Sequence, residues 1–199
     1  MRDSHKKGFT RATISGDAWA CAKQMIGSSD GQRHKNYLAW DKYFPKLSLD
    51  LDSRIRRAYF GGINYSWNKR INRGEISHYD IHNSYGAVMM WRPMPYGIPT
   101  ETHNWPRSEQ LFVADVRLKL KLREGLMPFY QFKNGVDNII EGWDHGTLVI
   151  ETKEWHTVSL TSVDLDILDD WYEITFDEEY EPTFYVFQSK EGLLKPYLD

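Results

Sequence analysis

Cysteine occurs once in the 199 residues, as Cys21, so no disulfide can form within the chain and a reducing setting is expected. Long apolar runs are also missing. None approaches the roughly 18 residues a spanning helix needs, and the N-terminus is polar and basic without the apolar core of a signal peptide. A soluble chain of the cell interior, with no membrane partner, is the expectation. Several chemical signatures are absent as well. No Gly-x-x-x-x-Gly-Lys-Ser/Thr loop supports P-loop chemistry. No Gly-x-Ser-x-Gly elbow occurs, Cys21 has no histidine signature nearby, and no zinc-ligand spacing appears. Internal repeats and low-complexity tracts are lacking too.

What is present is ordinary globular composition, 41% apolar with 15% aromatic residues, in a length that suits one large domain or two small ones. The net charge of −3 conceals an asymmetry. Residues 1–75 carry 15 Lys+Arg against 7 Asp+Glu, whereas residues 76–199 carry 10 against 21. A basic portion facing a polyanion and an acidic portion facing elsewhere would give that distribution, although a solvated surface gives it too.

Along the chain, Asp17 to Ile26 reads as a helix and residues 27–36 as loop. The alternation of Leu47, Leu49 and Leu51 predicts a short extended segment, and Gly61-Gly62 a turn. Residues 75–81 look strand-like. Residues 84–92 suit a helix capped by Asn83 or Ser84 and stopped by Pro93 and Pro95. The clearest strand is 111–123, with Val116, Leu118, Leu120 and Leu122 on one face and Arg117, Lys119, Lys121 and Arg123 on the other. A turn at Glu124-Gly125 leads to a strand-like run near 127–132. Residues 147–155 read as strand, 161–173 as an acidic helix opened by Thr161 or Ser162, and 182–188 as strand. Strands and helices without βαβ regularity predict an α+β fold on a mainly antiparallel sheet.

Asp80 closes the strand-like run just before the capped helix. His78 and His82 share its face, but successive same-face residues of a strand splay about 7 Å apart, too far for one transition metal to take all three easily. Asp80 alone suits a hard cation such as magnesium, which keeps waters and shares substrate phosphates, with the helix N-terminus beside it presenting N–H groups to a phosphate. Taken alone, a plain turn or capping role is the commoner reading of Asp80. Tyr85, five residues on, is either a packed aromatic or a flat ring that would collide with a ribose 2′-hydroxyl. The stretch SRIRRAYFGG places Arg54, Arg56 and Arg57 beside two aromatics and two glycines. Cations for phosphates, rings for bases and close backbone approach belong to a nucleic-acid contact, and equally to a basic hairpin.

DIHNSYGAVMMWRPMPYG resembles motif A of the protein-primed family B DNA polymerases of tailed phages and linear plasmids, usually Asp-x-x-Ser-Leu-Tyr-Pro followed by a helix and a Pro-Tyr-Gly turn. FPKLSLDLDSRIRRAYFGG resembles the segment ending in that family's Tyr-x-Gly-Gly motif. From EGLMPFYQF through VDLDILDDWYEI to SKEGLLKPYLD the spacing is similar to the insertion that contacts the priming terminal protein. The resemblance implies a partial polymerase palm plus a small α/β insertion subdomain. Residues 1–36 would follow the exonuclease domain, 37–97 belong to the palm, 98–185 form the insertion, and 186–199 begin the return to palm and fingers.

It further implies that Asp80 is the catalytic, metal-binding aspartate, with the Ile81 carbonyl as the neighbouring ligand of Mg2+ or Mn2+. Asn83, Ser84 and Tyr85 would bind the deoxynucleoside triphosphate, with Tyr85 discriminating the sugar. Tyr59, Gly61 and Gly62 would hold template or primer strand. Gly86 stands where Pro is usual, Asn83 where Ser is common, and Phe60 where Arg is frequent, so that DNA contact would either pass to Arg56 or Arg57 or be lost. The exonuclease Asp-x-Glu, the Tyr-x-Asp-Thr-Asp motif with the second metal aspartate, and the Lys-x-x-x-Asn-Ser-x-Tyr-Gly helix do not occur. Two-metal phosphoryl chemistry needs a paired site, so the expectation is an inactive fragment of a bacterial-host cytoplasmic enzyme. The alternative is a non-catalytic palm that binds DNA or terminal protein.

Overall fold

The computed structural model describes residues 41–59, 74, 75, 77, 79, 81, 84–131 and 148–194. The expected helix at 17–26, the loop after it and the Gly61-Gly62 turn lie outside them. The described residues fall into two compact units, one within Met1–Lys46, His78–Ile98 and Gln188–Asp199, the other within Leu47–Ser77 and Pro99–Phe187. As expected, the fold is α+β on an antiparallel sheet.

Helix α1, Leu49–Arg57, replaces the extended segment expected from Leu47, Leu49 and Leu51. Local chemistry explains the outcome. The Ser48 side chain caps the first turn by accepting from the Leu51 N–H at 3.3 Å, Asp50 and Asp52 face the positive end of the dipole, and Arg54, Arg56 and Arg57 face the negative end. Leu51 and Ile55 then fall one helical turn apart and pack together with Ala58. The described residues between 75 and 81 belong to no strand, contrary to the expectation there. Helix α2, Ser84–Trp91, matches the expected one, and its buried residue is Gly86.

Strand β1, Pro93–Thr102, runs through Pro93 and Pro95, which were expected only to stop the helix before them. It lies at an edge of the sheet, where missing backbone donors are tolerated. The centre is β2, Leu111–Leu122. Strand β3, His156–Thr161, pairs along one side of it. Strands β4, Tyr172–Phe176, and β5, Thr183–Glu191, take successive lengths of the other side, all antiparallel. Residues 147–155, expected as strand, contribute among those described only an isolated bridge, Lys121 to Glu151. The regular ladder begins at His156.

Val116, Leu118 and Leu120 are fully buried on the face that the alternation singled out. Helix α3, Ser162–Trp171, covers this face through Leu165 and Leu168. Thr161 caps it with a reciprocal box: its hydroxyl accepts from the Asp164 N–H at 3.1 Å, and the Asp164 carboxylate accepts from the Thr161 N–H at 2.9 Å. The helix stops at Trp171, two residues earlier than expected, because Tyr172 enters β4. On the opposite face, Val113 packs with Tyr185 and Ala58, so the first half of β2 is buried on both sides. The buried Asp115 carboxylate accepts the hydroxyl proton of Ser159, its cross-strand partner. Arg117 pairs with Asp177 at 3.2 Å and Lys121 with Glu173 at 3.6 Å.

Residues 127–131 form no strand, although one was expected there. The Tyr172 hydroxyl organises them instead. It accepts from the Phe129 and Tyr130 N–H groups, each at 3.3 Å, and donates to the Val149 carbonyl at 2.9 Å. Burial pushes the Tyr172 pKa up, partly opposed by those two donors, so the proton needed for Val149 stays in place. Tyr172→Phe keeps the ring but leaves three backbone groups without that partner. A loss of about 2 kcal/mol is expected, read as a lower urea midpoint at unchanged m-value.

Candidate nucleotide and DNA contact residues

Two groups of side chains are in question, and each sits in its own unit. In the first, Ser84 opens α2 and is half-buried, and Tyr85 stands in the first turn, 82% exposed. Ile81, just before the helix, is also exposed. An exposed phenol at this place is open to a ligand, and Tyr85 is not packed against the described residues of this chain. Asp80, Asn83, His78 and His82 lie outside the described residues.

In the second unit, Tyr59 follows directly on the C-cap of α1, Ala58, and donates its N–H to the Arg56 carbonyl at 3.1 Å. Tyr59 is 71% exposed, while Ala58 beside it is buried. The Arg56 Nε donates to the Asp52 carboxylate at 2.6 Å, one turn back. That hydrogen bond and the Asp52 charge raise the Arg56 pKa. Arg57 is exposed. Arg54, which was grouped with them but given no separate role, is oriented from two sides. Its Nε donates to Asp50 at 3.0 Å and its Nη1 to the Tyr185 hydroxyl at 3.4 Å. The Tyr185 hydrogen bond is the foremost cause of its raised pKa. No sequence signal pointed to this pairing, since the two residues are 131 positions apart.

Oxygen donors dominate the candidate metal position: a carboxylate at 80 and a backbone carbonyl at 81 suit a hard divalent ion. Among the described residues, no three His, Cys, Asp or Glu side chains come together to hold a metal, and no helix is long and apolar enough to cross a membrane.

Residues 4–199 match the family described as DNA polymerase type B, organellar and viral. The chain belongs to the organellar and viral type B DNA polymerases. Within that family it is 31% identical over 201 residues to the DNA polymerase of Bacillus phage B103 and 29% identical to that of Bacillus phage phi29. Each alignment takes in 98% of this chain and 32% of the relative, so the chain spans about a third of those polymerases. The phi29 DNA polymerase complexed with primer-template DNA and incoming nucleotide substrates superposes with a TM-score of 0.76 at 27% identity, over 98% of this chain and 32% of that one. The same polymerase complexed with single-stranded DNA gives a TM-score of 0.69 at 26% identity. This type B segment therefore shares its fold with the corresponding third of a phage polymerase.

Proposed function

We propose that this chain is the part of a DNA-directed DNA polymerase that carries motif A and the terminal-protein insertion. The enzyme extends DNA from a protein primer by nucleotidyl transfer, in the cytoplasm of a bacterial host. The observation that carries this reading is the family match over residues 4–199, joined to the superposition on a polymerase complexed with primer-template DNA and incoming nucleotides. In this reading residues 37–97 belong to the palm and 98–185 form the insertion.

Asp80 and the Ile81 carbonyl would hold Mg2+ or Mn2+, with further ligands from the triphosphate and from outside this segment. The ion supplies charge stabilisation of the phosphate oxygens when bound. Asn83, together with Ser84 at the start of α2, orients the triphosphate through side-chain and backbone donors. The Tyr85 ring lies against the sugar and excludes a 2′-hydroxyl. Tyr59, Gly61 and Gly62 hold the DNA strand, and Arg56 and Arg57 neutralise its phosphates.

Sugar selection is the discriminating test. In the full-length polymerase, Tyr85→Val is expected to raise ribonucleotide incorporation relative to deoxynucleotide by roughly tenfold to a hundredfold, the range one steric contact commands. Unchanged selectivity would remove Tyr85 from the sugar pocket. The isolated 199-residue chain, lacking a second metal aspartate, is expected to show no template-directed incorporation. DNA binding without incorporation by the full-length protein would instead favour the non-catalytic module.

A further inference from the structure

Tyr185 of β5 is almost fully buried, yet its hydroxyl is not spent on the sheet. It accepts from Arg54 Nη1 at 3.4 Å, while Asp50 holds the Nε of the same guanidinium at 3.0 Å. The Tyr185 ring belongs to the cluster containing Val113 and Ala58, with Leu51, Ile55 and Phe187 packed against it. Three of these, Leu51, Ile55 and Ala58, come from α1 and its C-cap. Helix α1 is thus fastened to the sheet by an apolar seam and one charge-assisted hydrogen bond. Its fastened end delivers the exposed Tyr59, which follows the buried Ala58 immediately.

We propose that Tyr185 and Arg54 act as a latch that positions Tyr59 for its DNA contact, so that a residue of the insertion sets the grip on the strand. This rests on the DNA-binding reading of Tyr59. Tyr185 touches no DNA in the proposal; it is a positioning residue acting through α1. Holding a contact residue in place removes an ordering cost at binding, and the gain appears in affinity.

A double-mutant cycle in the full-length polymerase tests it, with primer-template dissociation constants measured by fluorescence anisotropy. Tyr185→Phe, which keeps the ring and its packing, is expected to weaken DNA binding about fivefold, or about 1 kcal/mol at 1.4 kcal/mol per tenfold. The KM for deoxynucleotide should stay unchanged. In a Tyr59→Ala background, Tyr185→Phe should cost nothing more, because the latch acts through the ring already removed. An equal loss in both backgrounds, or no loss in the first while Tyr59→Ala weakens binding, would overturn the latch. If Tyr59→Ala itself leaves DNA affinity unchanged, the DNA-binding reading of Tyr59 fails, and the latch with it.

Discussion

Asp80→Asn in the full-length polymerase is expected to lower kcat/KM for template-directed incorporation by about a thousandfold or more, with primer-template affinity retained. Asn has the size of Asp and keeps one acceptor oxygen, but it lacks the negative charge that draws a hard dication to oxygen ligands. Charge stabilisation of a transferring phosphoryl group contributes several kcal/mol, and a thousandfold corresponds to about 4 kcal/mol at 1.36 kcal/mol per tenfold. Single-turnover incorporation and DNA titration, run side by side, separate lost chemistry from lost binding. A rate within tenfold of the wild type would take Asp80 out of the catalytic centre. The proposed role of this segment would then have to rest on binding alone.

Leu118→Ala is expected to remove about 3 kcal/mol of stability, within the span measured for buried leucines whose cavities only partly collapse. Leu118 has no exposed surface and sits where β2 is flanked on both sides, by His156 of β3 and Phe176 of β4. Val116 and Leu120 flank it on the same face, so relaxation into the void would disturb three paired strands at once. At roughly 2–4 °C per kcal/mol for a domain of this size, the melting temperature should fall by about 6–12 °C. Leu49→Ala is the matched control. Leu49 is 88% exposed on α1, and its loss should shift stability by no more than about 0.5 kcal/mol. Similar shifts for the two variants would show that the seam under α3 is not the core.

The central strand was legible because its apolar residues alternate over seven consecutive positions, a period that only an extended chain turns into one face. Helix α3 was legible from Thr161 and Asp164 in its first turn, since capping is a local affair of a few residues. Helix α1 was not legible. Its leucines at 47, 49 and 51 imitate strand spacing, and the evidence for a helix lay in Ser48, the acids after it and the arginines at its end. Strand β1 was hidden by its prolines, which are tolerated at an edge but say nothing of where an edge will be. Residues 127–131 resemble a strand in composition, yet the Phe129 and Tyr130 N–H groups bond to the hydroxyl of Tyr172, some forty positions away.

The candidate site divides in the same way. The carboxylate at position 80, the phenol five residues later and the cations before Tyr59 are chemical types at short spacing, and the linear chain displays them directly. Exposure of the Tyr85 and Tyr59 rings was not displayed, because an aromatic residue in a sequence is as ready to pack as to bind. Local order thus determined the side-chain chemistry on offer, the faces of β2 and the start of α3. Tertiary structure alone decided that the second face of β2 is also buried and that Arg54 meets Tyr185 across 131 residues. Hydrophobic periodicity reports which face of an element is apolar, but not which distant element will come to cover it.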